Sequence, residues 1–234
     1  MARESVPTAS SGQGSLTPLH WVKPPQQARS QKTLERLLDA AEELIAERGV
    51  ASVTVSEVVR RAGSSVGAFY ARFPDKDALL ATLHERSCAE ALATAELALD
   101  PKRWESADLA TAVLEIVKFA SVLYRERRGI AVAFVELAAA DASFADRRAT
   151  LEADTGLRLL EFLKARESEV AHADLKVAAQ VSIRMILSTL EFGAVIFRGG
   201  GDPTGISEER IATELARAVL GYLGAPVSSG RRLS

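Results

Sequence analysis

The sequence predicts an all-α protein with a three-helix N-terminal head, which contains a helix-turn-helix, and a larger helical body. Apolar residues recur at spacings of three and four from Ser30 onward, and no long run alternates apolar with polar residues. Capping residues, glycines and prolines stand where successive helices would begin and end. Of the 234 residues, 47% are hydrophobic and 26% are charged. This composition excludes a wholly disordered, collagen-like or multi-pass membrane chain.

The chain divides into four predicted regions. Residues 1–28 form a disordered tail, because 13 of the first 27 residues are Ser, Pro, Gly or Gln. The head covers residues 29–74 and continues into the start of helix four, to about residue 85. A body for ligand binding and dimerisation covers 75–225, and 226–234 form a flexible tail. Within the body the periodicity predicts helices near 106–127, 130–140, 143–168, 173–197 and 207–223.

The head contains two short helices joined by a tight turn. Thr54 and Glu57 have the spacing of a capping box, which opens the first of them, and Gly63 ends it. The second runs from about Ser65 to Phe73, where Pro74 stops it. Asp75 then caps a long helix that reaches about Ala98. This arrangement predicts a helix-turn-helix.

Two residues of the head are unfavourable for helix stability where they stand, and contact with DNA would explain both. Gly67 inside the second short helix costs about 1 kcal/mol relative to alanine, yet a narrow helix face can approach a DNA groove closely. Lys76 stands in the first turn of a helix, where the dipole disfavours a cation, and a bound phosphate would resolve that conflict. We interpret Arg60 and Arg61 as solvated side chains, and Arg29 as part of a basic arm.

The charge balance requires any DNA contact to be local. The formal net charge is -2, so the protein has no overall positive field. The predicted DNA-contacting residues lie on the basic arm, the turn, the short helix and the start of helix four: Arg29, Thr54, Ser65, Val66, Gly67, Ala68, Tyr70, Arg72 and Lys76.

The run from Thr54 to Leu80, with Ala62-Gly63, Gly67, Tyr70, Phe73 and Lys76, resembles the DNA-binding head of the TetR family of bacterial transcriptional regulators. The resemblance covers roughly residues 30–85. It implies a homodimeric regulator with two heads and a body that binds a small-molecule inducer. The expected function is that of a repressor that an inducer releases from a pseudo-palindromic double-stranded operator.

The resemblance also implies which helices of the body surround a mostly apolar ligand, although the same residues fit a plain hydrophobic core. The candidate ligand-binding residues are Phe119, Leu123, Phe134, Glu136, Phe162, Met185 and Glu191. Arg184, Ser188 and Glu191 form one polar stripe, which fits a ligand site, a cross-dimer ion pair or a solvated edge.

The last two helices of the body are candidates for a dimer interface. The helix near 173–197 is apolar almost all round and needs cover on both sides, and the helix near 207–223 has near-heptad apolar spacing. The candidate interface residues are Leu187, Val195, Ile211, Leu215, Val219 and Tyr222.

Other functions have weaker support. Gly63 to Gly67 fits the G-x-S-x-G pattern, so a serine hydrolase using Ser65 with His84 or His172 is one alternative, and it requires a strand before the serine. A second alternative is a dimeric small-molecule carrier whose head does not bind DNA. His84 and Cys88 lie four apart, but a closed zinc site needs more ligands. We therefore expect no metal, no cofactor and no membrane partner, in a cytoplasmic protein.

Overall fold

The structure, a computed structural model, describes residues 28–196 and 205–225. Within these ranges the chain forms nine α-helices and three short 3₁₀ turns without a strand, which confirms the all-α prediction. Of the predicted tails at 1–28 and 226–234, residues 1–27 and 226–234 lie outside the described residues, whereas Ala28 begins the first helix. The helices are α1 (Ala28–Arg48), α2 (Val55–Arg61), α3 (Val66–Tyr70), α4 (Lys76–Ala98), α5 (Leu109–Glu126), α6 (Arg128–Ala140), α7 (Ala142–Lys164), α8 (Leu175–Ile196) and α9 (Glu208–Leu223). None of these helices is long and apolar enough to cross a membrane.

Three helix boundaries differ by three or more residues from those that the periodicity indicates. α3 ends at Tyr70 rather than Phe73, because the backbone N–H groups of Arg72 and Phe73 both bond to the Phe69 carbonyl in a tight turn. α5 begins at Leu109 because the Asp108 side chain caps it. α7 ends at Lys164, and residues Glu167–Glu169 form a separate 3₁₀ turn.

Two hydrophobic clusters form the core. The head cluster is built by α1 to α4, with Phe69 and Phe73 fully buried, and it also includes Ile130 of α6 and Phe144 of α7. The body cluster is built mainly by α5, α7, α8 and α9 around the fully buried Phe162. Because α6 contributes to the head cluster, the head is packed directly on the body.

An ion-pair network crosses the same boundary. Arg86 of α4 bonds to Asp39 at 2.6 Å and to Glu42 at 2.7 Å, both in α1. Arg127, just before α6, bonds to Glu42 at 2.7 Å and to Glu90 of α4 at 3.0 Å. Burial alone would raise the pKa of Glu42, but the two guanidinium groups outweigh burial and hold that pKa below its ordinary value. The network therefore joins α1, α4 and the start of α6 through charged groups that stay ionised.

Candidate functional site

Hydrogen bonds fix both ends of α2, including the turn that joins it to α3. The Glu57 N–H donates to Thr54 Oγ1 at 3.3 Å and the Thr54 N–H donates to Glu57 Oε2 at 3.1 Å, so the predicted capping box is present. Gly63 has φ 55, and the Ser64 N–H donates to the Val59 carbonyl at 3.0 Å. This is the Schellman end of a helix, which needs a left-handed residue and explains glycine there.

The outer face of α3 is exposed and narrow. Val66 is 50% exposed and Tyr70 is 51% exposed, and a Cβ added to Gly67 would meet nothing within 4 Å. The opposite face is held in the head cluster by Phe69 and Phe73, whose ring centroids lie 5.4 Å apart. Packing inside the protein therefore does not require glycine at position 67.

The polar residues predicted to contact DNA also have roles within the head. Ser65 Oγ caps α3 by accepting from the Ala68 N–H at 3.1 Å. Arg72 donates from Nη1 to the Ala68 carbonyl at 2.8 Å. Arg29 lies in the first turn of α1, and its side chain is outside the described part of the chain. Ser65 and Thr54 thus position backbone N–H groups at the ends of the two short helices.

The structure corrects the interpretation of Lys76. Its ammonium Nζ donates to the Val50 carbonyl at 2.9 Å, in the 3₁₀ turn Val50–Ser52 between α1 and α2. The cation in the first turn of α4 therefore has a partner within the protein, and a bound phosphate is not needed to explain its position. An ammonium has three donors, so contact with a phosphate remains compatible with this bond.

Arg61 is exposed, as a solvated side chain would be, but it also forms ion pairs that the sequence did not predict. Its guanidinium donates to Glu47 at 2.9 Å and 3.0 Å and to Glu43 at 3.0 Å, both in α1. The hydrogen bonds to Glu47 and Glu43 raise its pKa. The periodicity of α1 gave no sign of this, because the three residues meet only when α2 packs on α1. Arg61 therefore adds no uncompensated charge near the turn.

The helix before Ser65 excludes the hypothesis of a serine hydrolase that uses Ser65 as its nucleophile. The G-x-S-x-G elbow needs a strand before the serine, but residues Val55–Arg61 form α2. His84 belongs to a cavity wall in the body, and His172 Nδ1 accepts from the Asp174 N–H at 3.1 Å. Ser65 therefore acts as a helix cap, without the surroundings of a nucleophile.

The body contains a cavity of about 290 Å³ between α4, α5, α6, α7, α8 and α9. Four of the candidate ligand-binding residues line it: Phe119, Leu123, Phe134 and Glu191. The other three do not. Phe162 is fully buried in the body cluster, Met185 packs against that cluster, and Glu136 is on the exposed side of α6.

The sequence predicted Glu191 in the cavity but gave no sign of its two polar partners, Arg148 and Tyr124. Glu191 of α8 forms an ion pair with Arg148 of α7, and the Tyr124 hydroxyl of α5 donates to Glu191 Oε1 at 3.3 Å. These three residues come from three helices, so no spacing along the chain connects them. The predicted polar stripe on α8 is divided: Arg184 is exposed and bonds to Glu152 at 2.8 Å, whereas Glu191 faces the cavity.

His84 and Cys88 also lie on the cavity wall. Burial, with a smaller contribution from Arg147 and Arg148, lowers the pKa of His84 to about 4, so its imidazole is neutral at physiological pH. Burial raises the pKa of the Cys88 thiol to about 11. The Cys88 Sγ lies 3.6 Å from His84 Nε2. Over the described residues, no three His, Cys, Asp or Glu side chains gather as metal ligands would.

The structure corrects part of the predicted dimer interface. Leu215 and Val219 of α9 are buried in the body cluster of their own chain, because the apolar face of α9 packs on α5. Leu187 lines the cavity. Val195, Ile211 and Tyr222 are partly exposed. Large exposed apolar side chains on α8 are instead Phe192, at 62% exposed, and Val177, at 47%.

Comparison with known proteins agrees with the geometry of the head. The sequence model described as "Bacterial regulatory proteins, tetR family" matches residues 37–83. Over these residues the chain is therefore similar to the DNA-binding head of the TetR family. A curated relative, the uncharacterised HTH-type transcriptional regulator YvdT of Bacillus subtilis, is 39% identical over 51 residues. That match spans 22% of this chain and about a quarter, 26%, of the relative's length.

Several solved structures share the fold of most of this chain. A putative TetR-family regulator from Mesorhizobium loti has a TM-score of 0.69 at 15% identity, over 83% of this chain and 98% of that one. FadR from Bacillus subtilis, in complex with stearoyl-CoA, has a TM-score of 0.61 at 19% identity, over 80% and 98%. RolR, in complex with resorcinol, has a TM-score of 0.56 at 21% identity, over 86% and 91%.

Proposed function

We propose that this protein is a ligand-responsive, DNA-binding transcriptional regulator of the TetR family. In this proposal it acts in the cytoplasm as a homodimeric repressor that a small molecule releases from a pseudo-palindromic operator. The observation that carries the proposal is the outer face of α3, where Val66 and Tyr70 are half exposed and Gly67 faces open space. A narrow, exposed helix after a tight turn fits a DNA major groove.

The cavity supports a response to a small molecule. Its walls are mostly apolar with a few polar groups, as is usual for ligand sites. Two proteins of similar fold were solved with small ligands, stearoyl-CoA in FadR and resorcinol in RolR. Ile130 of α6 lines the cavity and also belongs to the head cluster, so a ligand that moves α6 would move residues packed on α1.

The exposed side of α8 supports a dimer. Phe192 and Val177 lie on one long helix whose apolar surface is larger than its own chain covers. A two-fold axis through this surface would pair α8 with its symmetry mate and present two heads to one duplex. Half-sites should then lie about one turn of DNA apart or somewhat more.

Selection of bound duplexes from random DNA tests this function. We expect an enriched pseudo-palindrome and gel-shift binding that falls steeply with salt. Single, unpaired sites would contradict the dimeric reading. The alternative, a small-molecule carrier whose head does not bind DNA, predicts that no duplex is enriched.

A further inference from the structure

The α4 wall of the cavity carries two buried polar atoms that have no hydrogen-bond partner among the described residues. They are His84 Nδ1 and Ser87 Oγ, in residues that are 4% and 9% exposed. Both residues line the cavity, and their spacing of three places them side by side on one face of α4. Buried polar groups in native proteins are normally satisfied. These two atoms therefore mark where a ligand's polar group would bind.

The charged groups on the cavity wall are already compensated. Arg127 bonds to Glu42 and Glu90, and Arg148 pairs with Glu191, which also accepts from Tyr124. An ionised ligand would lose its hydration and find no uncompensated charge of opposite sign on the described walls. The cavity therefore favours a molecule without net charge.

The two titratable side chains at this part of the wall, His84 and Cys88, are uncharged at physiological pH. The lowered pKa of His84 leaves a neutral imidazole, and the raised pKa of Cys88 leaves a thiol. In a neutral imidazole, one ring nitrogen donates and the other accepts, and a serine hydroxyl does both. A ligand hydroxyl, which also donates and accepts, can satisfy both atoms whichever tautomer His84 adopts.

The surrounding wall is apolar and partly aromatic. The ring centroids of Phe134 and His84 lie 4.5 Å apart, and Phe119 and Leu123 of α5 also line the cavity. We propose that the ligand of this cavity is a neutral, apolar molecule with a hydroxyl group, and that this group binds His84 Nδ1 and Ser87 Oγ. This inference rests on the proposed ligand-responsive function, whose ligand class it specifies.

Three probes that share one ring system test the proposal. The purified full-length protein is titrated calorimetrically with 2-naphthol, naphthalene and 2-naphthoate. We expect 2-naphthol to bind roughly tenfold more tightly than naphthalene, equivalent to about 1.4 kcal/mol, and 2-naphthoate to bind most weakly. Equal affinity for 2-naphthol and naphthalene, tightest binding of 2-naphthoate, or no binding of any probe would each overturn the proposal.

Variants assign the preference to the two atoms. His84→Phe keeps a ring and Ser87→Ala removes one hydroxyl, so each should reduce the preference for 2-naphthol several-fold and leave naphthalene binding almost unchanged. Ser182→Ala is the matched control, because Ser182 Oγ is also buried without a partner in the described chain but does not line the cavity. If the preference survives both cavity variants, or if Ser182→Ala abolishes it equally, the assignment is wrong. Circular dichroism checks that each variant is folded. If His84→Phe is unfolded, the affinities of Ser87→Ala alone test the assignment.

A parallel gel shift separates this proposal from the function on which it rests. If 2-naphthol binds through His84 and Ser87 but leaves the protein–DNA complex unchanged, the ligand class stands and regulation by this ligand fails. If the protein binds no selected duplex, the regulator proposal fails, whereas the calorimetric preference still decides the chemistry of the cavity.

Discussion

Gly129, the second residue of α6, lies so close to Ala46 of α1 that a Cβ on Gly129 would stand 2.6 Å from the Ala46 Cα. The same Cβ would stand 2.9 Å from the Ala46 carbonyl oxygen. These neighbours are backbone atoms, which cannot move aside as the end of a side chain can. The next residue, Ile130, lines the cavity. Glycine at position 129 thus allows a helix of the cavity wall to touch the head.

Gly129→Ala should therefore destabilise the protein by about 1–3 kcal/mol through overpacking, although alanine is otherwise preferred in helices. Urea unfolding measures the change. The control is Gly193→Ala in α8, where an added Cβ meets nothing within 4 Å, and we expect unchanged or slightly higher stability. Equal unfolding midpoints for the two variants would contradict the close contact.

Gly67→Val should weaken DNA binding by at least tenfold and change stability by less than about 1 kcal/mol. Open space above Gly67 accommodates the valine in the free protein, but the added methyl groups would prevent α3 from seating in the groove. Gel shifts and thermal melts on the same sample measure both effects. Ala93→Val, at an exposed position of α4, is the control. If Gly67→Val binds DNA as tightly as the wild type, this face of α3 does not contact DNA.

Lys76→Ala should lower the free energy of unfolding by about 1–3 kcal/mol, because the bond from its ammonium to the Val50 carbonyl is lost. If Lys76 also contacts a phosphate, the slope of log affinity against log salt should fall by about one unit per subunit. Lys164→Ala in the body is the control for the salt slope. Lower stability with an unchanged slope would restrict Lys76 to its structural role.

Phe192→Glu should weaken self-association at least tenfold, since a charge would replace an exposed apolar side chain in the proposed dimer surface of α8. Analytical ultracentrifugation over a concentration series measures this. Leu97→Glu is the control, because Leu97 is 69% exposed but lies on α4. If Leu97→Glu weakens self-association and Phe192→Glu does not, the dimer interface includes α4 and not the exposed side of α8.

Because of His84, the free energy of unfolding should decrease as the pH is lowered. Its pKa is about 4 in the folded protein against an ordinary value of 6.5, so the unfolded chain takes up the proton first as the pH falls. The contribution is fully present above about pH 6.5 and is lost towards pH 4. Between pH 7 and 4 the wild type should lose about 3 kcal/mol more stability than His84→Phe, as measured by urea unfolding. Parallel losses in both proteins would show that His84 is not buried in its neutral form.

The helices of the head could be predicted closely because their boundaries are set by local chemistry. The capping box of Thr54 and Glu57, the left-handed Gly63 and the break at Pro74 all act within a few residues. The sequence also predicted that Gly67 lies on an exposed face of its helix. A glycine inside a helix lowers helical stability, so its presence there indicates a function such as contact with a partner. The candidate DNA contacts themselves remain a prediction.

The sequence by itself determined the order of the helices, the helix-turn-helix and the apolar faces, because periodicity and capping depend only on neighbours along the chain. Only the tertiary structure decided which side chains meet across helices. It placed Lys76 on the Val50 carbonyl and Arg61 on the acids of α1, and it buried Leu215 and Val219 in their own core. It also assembled the cavity in which His84, Ser87 and the Arg148–Glu191 pair face one space. Such contacts join residues far apart in the chain, and their geometry is set by how the helices pack rather than by any local spacing.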